Sequence, residues 1–110
     1  MWAQLIKMPV KPGTDLSGLS QALRDAEQPG SGLVRTLTRR DQKDPCQLYT
    51  LVVFESEEQA RAREQDPRRQ EALRAARAML ADLHDGPPEY VDLTVEEEWT
   101  GPQVEAAGPA

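Results

Sequence analysis

Phe54-Glu55-Ser56-Glu57-Glu58-Gln59-Ala60, continued by Glu64-Gln65-Asp66-Pro67-Arg68-Arg69-Gln70-Glu71-Ala72-Leu73, closes an apolar strand, caps a short helix and opens a second helix at a proline. Ser56 is placed to accept a hydrogen bond from the free amides of the next turn, with Gln59 at the reciprocal position of a capping box and Glu57 and Glu58 at the positive helix end. A helix therefore begins at about Glu57. Asp66-Pro67 repeats the device, because an aspartate cap followed by proline at the first helical position leaves no backbone donor wasted.

Upstream, residues 2–10 form an apolar, β-tolerant run that the Pro9-Val10-Lys11-Pro12-Gly13 segment stops and turns. Thr14 or Asp15 can cap a helix in which Leu16, Leu19, Leu23 and Ala26 recur on one face, and Gln28-Pro29-Gly30 breaks it. Residues 33–39 and 47–54 are rich in β-branched and aromatic side chains and flank the polar turn Asp41-Gln42-Lys43-Asp44-Pro45, a hairpin pattern. Downstream of Pro67, Leu73, Ala76, Leu80 and Leu83 make a buried stripe while Arg68, Arg74 and Arg77 face water. Gly86-Pro87-Pro88 ends that helix, and residues 90–96 alternate as a half-buried strand does.

The resulting order, β-α-β-β-α-α-β, predicts an α+β fold, the ferredoxin-like split βαβ plait: one four-stranded antiparallel sheet with helices on one face. The strand at 47–54 carries Leu48, Val52 and Phe54 on one side and Tyr49, Leu51 and Val53 on the other, so both of its faces are apolar. A second sheet must cover the face away from the helices, most simply that of an identical subunit. The expected organisation is one domain over residues 1–99, then a disordered tail over 100–110 that is small, polar and punctuated by proline and glycine.

Composition narrows the function classes. The chain has 110 residues and a formal net charge of −6, which speaks against nonspecific nucleic acid or anionic membrane as partners. The excess lies in the second half: residues 1–54 carry seven basic and five acidic side chains, residues 55–110 six and fourteen. A single cysteine, Cys46, permits neither an intramolecular disulfide nor a cysteine-rich zinc site and reads as a buried thiol in an apolar strand, in a reducing compartment. The N-terminus lacks the basic start and apolar core of a signal peptide, and no apolar run approaches the roughly 20 residues needed to cross a bilayer. A cytoplasmic protein is expected. With one histidine and one cysteine a histidine-rich metal site cannot be built, and phosphate-loop, dinucleotide-glycine and serine-elbow patterns are missing.

Lys11-Pro12-Gly13 after the first strand, Gly32-Leu33 opening the second, Phe54-Glu55-Ser56-Glu57-Glu58 after the third and Asp66-Pro67 opening the last helix resemble the antibiotic biosynthesis monooxygenase-like family of the dimeric α+β barrel superfamily, over about residues 2–97. The resemblance implies a homodimer in which two sheets pack face to face, with a pocket in each subunit between sheet and helices. Members of the family include oxygenases that act on polycyclic quinols without metal or flavin, haem-degrading proteins, and many proteins without an established activity. The haem-degrading pattern asks for an asparagine on the first strand, a tryptophan on the short helix and a histidine on the long one. This chain has no asparagine, and Arg63 and Leu73 stand where the other two would lie.

Cofactor-free oxygenation asks for a base, polar groups that hold the substrate anion, and an apolar pocket. His84 is the candidate catalytic base, being the side chain whose unperturbed pKa lies near neutrality; its place at a helix end equally suits a residue that complements the helix dipole. Gln4, Arg35 and Tyr49 are the candidate substrate-binding groups. Each has a structural alternative: Gln4 as a strand residue at the pocket edge, Arg35 as a partner for an acidic side chain across the dimer, and Tyr49, like Trp2 and Trp99, as a packing or interface residue. Two functions follow as expectations: a cofactor-free monooxygenase-like homodimer acting on a small aromatic or polyketide-like quinol, or a non-catalytic ligand-binding or interaction protein on the same scaffold.

Overall fold

The computed structural model describes residues 1–102, so the expected tail falls outside the described residues from 103 onward. Along the chain run β1 (Trp2–Pro9), α1 (Ser17–Ala26), β2 (Leu33–Arg40), β3 (Gln47–Phe54), α2 (Glu57–Glu64), α3 (Pro67–Ala72), α4 (Arg74–Leu83) and β4 (Glu89–Thr94). The strands form one antiparallel sheet in the order β2-β3-β1-β4 with the helices on one face, which is the ferredoxin-like plait.

The punctuation behaves as its chemistry dictates. Ser56 Oγ accepts from the Gln59 backbone N–H at 3.2 Å and donates to Gln59 Oε1 at 2.9 Å, and α2 starts at Glu57. Asp66 Oδ1 accepts from the Arg68 backbone N–H at 2.9 Å, with Pro67 in the first turn of α3. At α1 the outcome differs from the expected cap: the helix opens at Ser17 behind Leu16, with no side-chain cap, because Asp15 Oδ1 is engaged with the Ser17 N–H at 3.0 Å in a turn of its own.

Three further expectations are corrected. The last helix divides into α3 and α4 at Leu73, whose side chain is drawn in among Leu19, Ala26 and Ala76. Leu23, expected in the α1 stripe, is 42% exposed. Cys46 precedes β3 rather than lying within it and is half-buried; its role is in the backbone, where its carbonyl accepts from the Val10 N–H at 2.7 Å.

Two apolar clusters form the core. Trp2, Val52, Phe54 and Ala60 join one end of the sheet to α2; Leu19, Ala26, Leu73 and Ala76 join α1 to α3 and α4. The chain enters β2 directly beneath α2, at Gly32. With φ +83°, a Cβ there would stand 2.7 Å from the Cβ of Gln59, so only glycine fits. The Gly32 carbonyl also accepts from the Glu55 N–H at 2.9 Å, locking the turn before α2 to the start of β2.

Candidate functional site

Register assigns every strand residue to a face. Trp2, Gln4, Ile6 and Met8 of β1 stand beside Phe54, Val52, Thr50 and Leu48 of β3, facing the helices. Along this face Trp2, Val52 and Phe54 are buried at one end, and Leu48 and Val10 at the other. Between them Gln4, Ile6 and Thr50 are only half-buried although they lie on the two central strands. The helix layer thus covers the sheet less completely in its middle than at its ends, and this less covered strip is the candidate cleft. Thr38 enters it beside Thr50, the two hydroxyls 3.3 Å apart. Tyr90, 58% exposed on the edge strand beside Ile6, stands at the rim.

The closed end beside this cleft is built of aromatic rings and arginines. The Trp2 and Phe54 rings lie 6.0 Å apart, tilted at 44°. Arg61 stacks over Trp2 at 5.0 Å and Arg63 over Phe54 at 5.1 Å, so one helix lays a guanidinium on each ring. Arg61 Nη2 donates to Asp92 Oδ2 at 2.9 Å, while Gln4 Nε2 donates to Asp92 Oδ1 at 3.0 Å. The hydrogen bond from Gln4, then those and the charge of Arg61, hold the Asp92 carboxyl below the usual carboxylate range. Asp92 is thereby an anchored anion that orients Gln4, and a weak base. Arg63 is tied to Glu27 instead, with Nη2 to Oε1 at 2.7 Å. Burial pushes the Glu27 carboxyl up, and the hydrogen bonds from Arg63 and Ser31, with the charges of Arg63 and Arg69, more than reverse it.

The four residues singled out from the sequence do not converge. Gln4 lies in the cleft. Arg35 and Tyr49 point to the opposite face of the sheet, since they pair with Val53 and Arg39 there. Arg35 Nη2 binds Glu98 Oε1 at 2.9 Å, an intrachain pair, and the Tyr49 hydroxyl donates to Asp41 Oδ2 at 3.4 Å. His84 ends α4 and is bridged to Val10, six residues beyond Gln4 along β1 and so roughly 20 Å away at ~3.3 Å per residue. Its Nε2 is buried without a hydrogen-bond partner. Trp2 is a packing residue, buried to 8%, and Trp99 is 79% exposed.

Arg61, Asp92 and Tyr90 had no signal of their own: each looks like an ordinary surface residue until the β1–β4 register sets it beside Gln4 and Ile6. Among the described residues no three histidine, cysteine or carboxylate side chains gather to hold a metal ion, and no helix is long and apolar enough to cross a membrane.

The second face of the sheet is apolar at its centre. Ala3, Leu51, Val53 and Leu93 floor a groove of about 430 Å³ whose wall is the chain following β4, drawn across by the Arg35–Glu98 ion pair. Val53 is 4% exposed and Ala3 3%, although among the described residues no helix lies on this side.

No family model and no curated protein matches the chain. Several of its solved structural neighbours are described as antibiotic biosynthesis monooxygenases. A candidate antibiotic biosynthesis monooxygenase of Chloroflexus aurantiacus is 27% identical, aligned over 92% of this chain and 98% of its own with a TM-score of 0.61. A second candidate of that kind, from Nitrosomonas europaea, is 17% identical over 88% of this chain and 100% of its own, with a TM-score of 0.63. A variant of SnoaB, a cofactor-independent oxygenase of Streptomyces nogalater, is 16% identical over 88% and 94% with a TM-score of 0.62.

Proposed function

The chain is an antibiotic biosynthesis monooxygenase-like protein, and from that premise we propose that it works as a homodimer whose sheet–helix cleft binds a small planar aromatic or polyketide-like molecule. The observation that carries this reading is the half-exposed centre of the helix-facing sheet. Gln4, Ile6 and Thr50 lie on the central strands, where close helix packing would bury them, yet they remain accessible. An apolar floor with a few oriented polar groups is the usual make-up of a small-molecule site. Ile6 supplies the floor, the Thr38 and Thr50 hydroxyls and Tyr90 the lateral polar groups, and Gln4, held by Asp92, an amide able to meet a carbonyl or hydroxyl. The dimer is supported by the apolar second face, whose groove over Ala3, Leu51 and Val53 is a surface that a second sheet would cover.

Binding is the better supported part of this reading. Oxygenation without a cofactor also needs a group that takes a proton from the ligand, and the carboxylate nearest the cleft, Asp92, is spent on Gln4 and Arg61. The oxygenase reading rests on the SnoaB neighbour and on the chemistry named for it. Fluorescence of Trp2, isolated in a Trp99→Phe variant, together with an oxygen electrode, separates the two. A dihydroxynaphthalene that quenches saturably without oxygen uptake above its autoxidation marks a binding protein. Quenching with catalysed uptake marks an oxygenase. An unquenched signal up to the probe's solubility overturns the cleft as the site.

A further inference from the structure

A second cavity, separate from the cleft and independent of the reading given to it, lies where the α1–β2 connection meets α2 and α3. It encloses about 120 Å³, and Gln28, Gly30, Ser31, Gln59, Arg63 and Arg69 contribute to its walls. At ~30 Å³ per water molecule it holds about four waters, room for a tetrahedral oxyanion and too little for a fused aromatic ring.

The charges around it are unequally matched. Arg63 is satisfied by Glu27 and Arg68 by Asp66, through contacts of 2.7 and 2.8 Å. Arg69 is half-buried, and among the described residues its guanidinium donates to no acceptor; it is the one half-buried arginine of which this is true. Gln59 is half-buried as well: its Oε1 is held by Ser56, and among the described residues its Nε2 donates to no acceptor. Burial first, and then the like charge of Arg63, disfavour the charged form of Arg69; Glu27 and Glu64 favour it, each by more than the distant like charge of Arg77 opposes it. A chain of net charge −6 thus keeps, beside the Arg68-paired carboxylate of Asp66, a guanidinium without an acceptor and an unused amide donor on the wall of one small hollow. An unmatched half-buried guanidinium costs stability unless an anion meets it.

We propose that this cavity is a phosphate site, in which the Arg69 guanidinium and Gln59 Nε2 donate to a bound phosphate or phosphoryl group while Arg63 stays paired with Glu27. The lining residues of the cavity come from α2, from α3 and from the α1–β2 turn, so a bound anion would meet groups from three separate elements. The mouth is open, so the phosphoryl end of a small metabolite enters as readily as free phosphate.

Backbone amide NMR at constant ionic strength tests this with inorganic phosphate, glycerol phosphate and chloride as probes. Saturable shifts centred on Gly30, Ser31, Gln59 and Arg69, weakened at least tenfold in Arg69→Met and missing with chloride, are expected. Tighter binding of glycerol phosphate would identify a phosphorylated small molecule as the occupant, and preference for inorganic phosphate the free ion. Arg69→Met should fold, with an unliganded melting temperature no lower than the parent's. Should it fail to fold, Gln59→Leu takes its place, with a weakening of at least threefold expected. Shifts that do not saturate, that chloride reproduces, or that survive the substitution with unchanged affinity would overturn the proposal.

Discussion

Arg63 grips both carboxylate oxygens of Glu27, its Nε lying 3.1 Å from each and its Nη2 2.7 Å from Oε1, across 36 residues of sequence. The pair joins the end of α1 to α2 while the same guanidinium covers Phe54, so ion pairing and ring packing are one contact. Removing only the acid leaves a half-buried cation behind. Glu27→Gln is expected to lower unfolding free energy by about 1–3 kcal/mol, measured by urea denaturation at neutral pH.

Acid should weaken the fold through the same residue. The Glu27 carboxyl is lowered in the folded state from its ordinary value of 4.5, so the native chain binds fewer protons than the unfolded one in that region. Its contribution is fully present above pH 4.5 and is lost as pH falls through the lower folded value. Asp66 and Asp92 are displaced in the same direction and add to the effect. Melting temperature should therefore fall steadily below about pH 5, and less steeply in Glu27→Gln; equal slopes would remove Glu27 from the account.

Gly32→Ala tests the junction between α2 and β2. Left-handed backbone at a non-glycine residue costs about 1–2 kcal/mol, and the added methyl must also displace Gln59. A total loss of about 2–4 kcal/mol is expected in denaturant unfolding, against about 1 kcal/mol for the cap variant Ser56→Ala.

Leu51→Glu places a charge in the middle of the second sheet face, between Leu5 and Leu37. If that face joins two subunits, light scattering should report a dimer for the parent chain and a monomer for the variant, with the circular dichroism spectrum unchanged.

His84→Leu distinguishes a structural histidine from a catalytic one. Since Nε2 is buried and unpartnered beside the α4–β1 junction, exchange for an apolar side chain should leave the melting temperature equal or higher and leave ligand quenching of Trp2 untouched. Loss of turnover in an oxygen-uptake assay, with quenching preserved, would restore His84 to a catalytic role.

Most of the fold was legible because its signals are local. The Ser56 and Asp66 caps, Pro67 and the two-faced pattern of residues 47–54 act within one or two turns of chain, and each element starts within a residue or two of where they put it. Leu73 was not readable as a break: its apolar spacing continues the stripe straight through the junction of α3 and α4, and it packs with Leu19, Ala26 and Ala76. The candidate site was legible only at Gln4. Arg35 and Tyr49 fell on the other face because direction in a strand depends on register; for Arg35 the irregularity between Leu33 and Arg35 shifts the pairing of β2. Arg61 and Asp92, 31 residues apart, meet only after β4 has come in beside β1.

Arg35 and Glu98 give the second sheet face a property that its strands alone would not. The groove they border is already roofed in part by the chain's own continuation past β4, so a partner approaching that face competes with a tethered segment whose local concentration does not change with dilution. If two subunits join through this face, their association is an exchange rather than a simple addition. Salt, which loosens the Arg35–Glu98 contact, frees apolar surface as it screens charge, and should strengthen such a dimer where it would weaken one held by ion pairs between subunits.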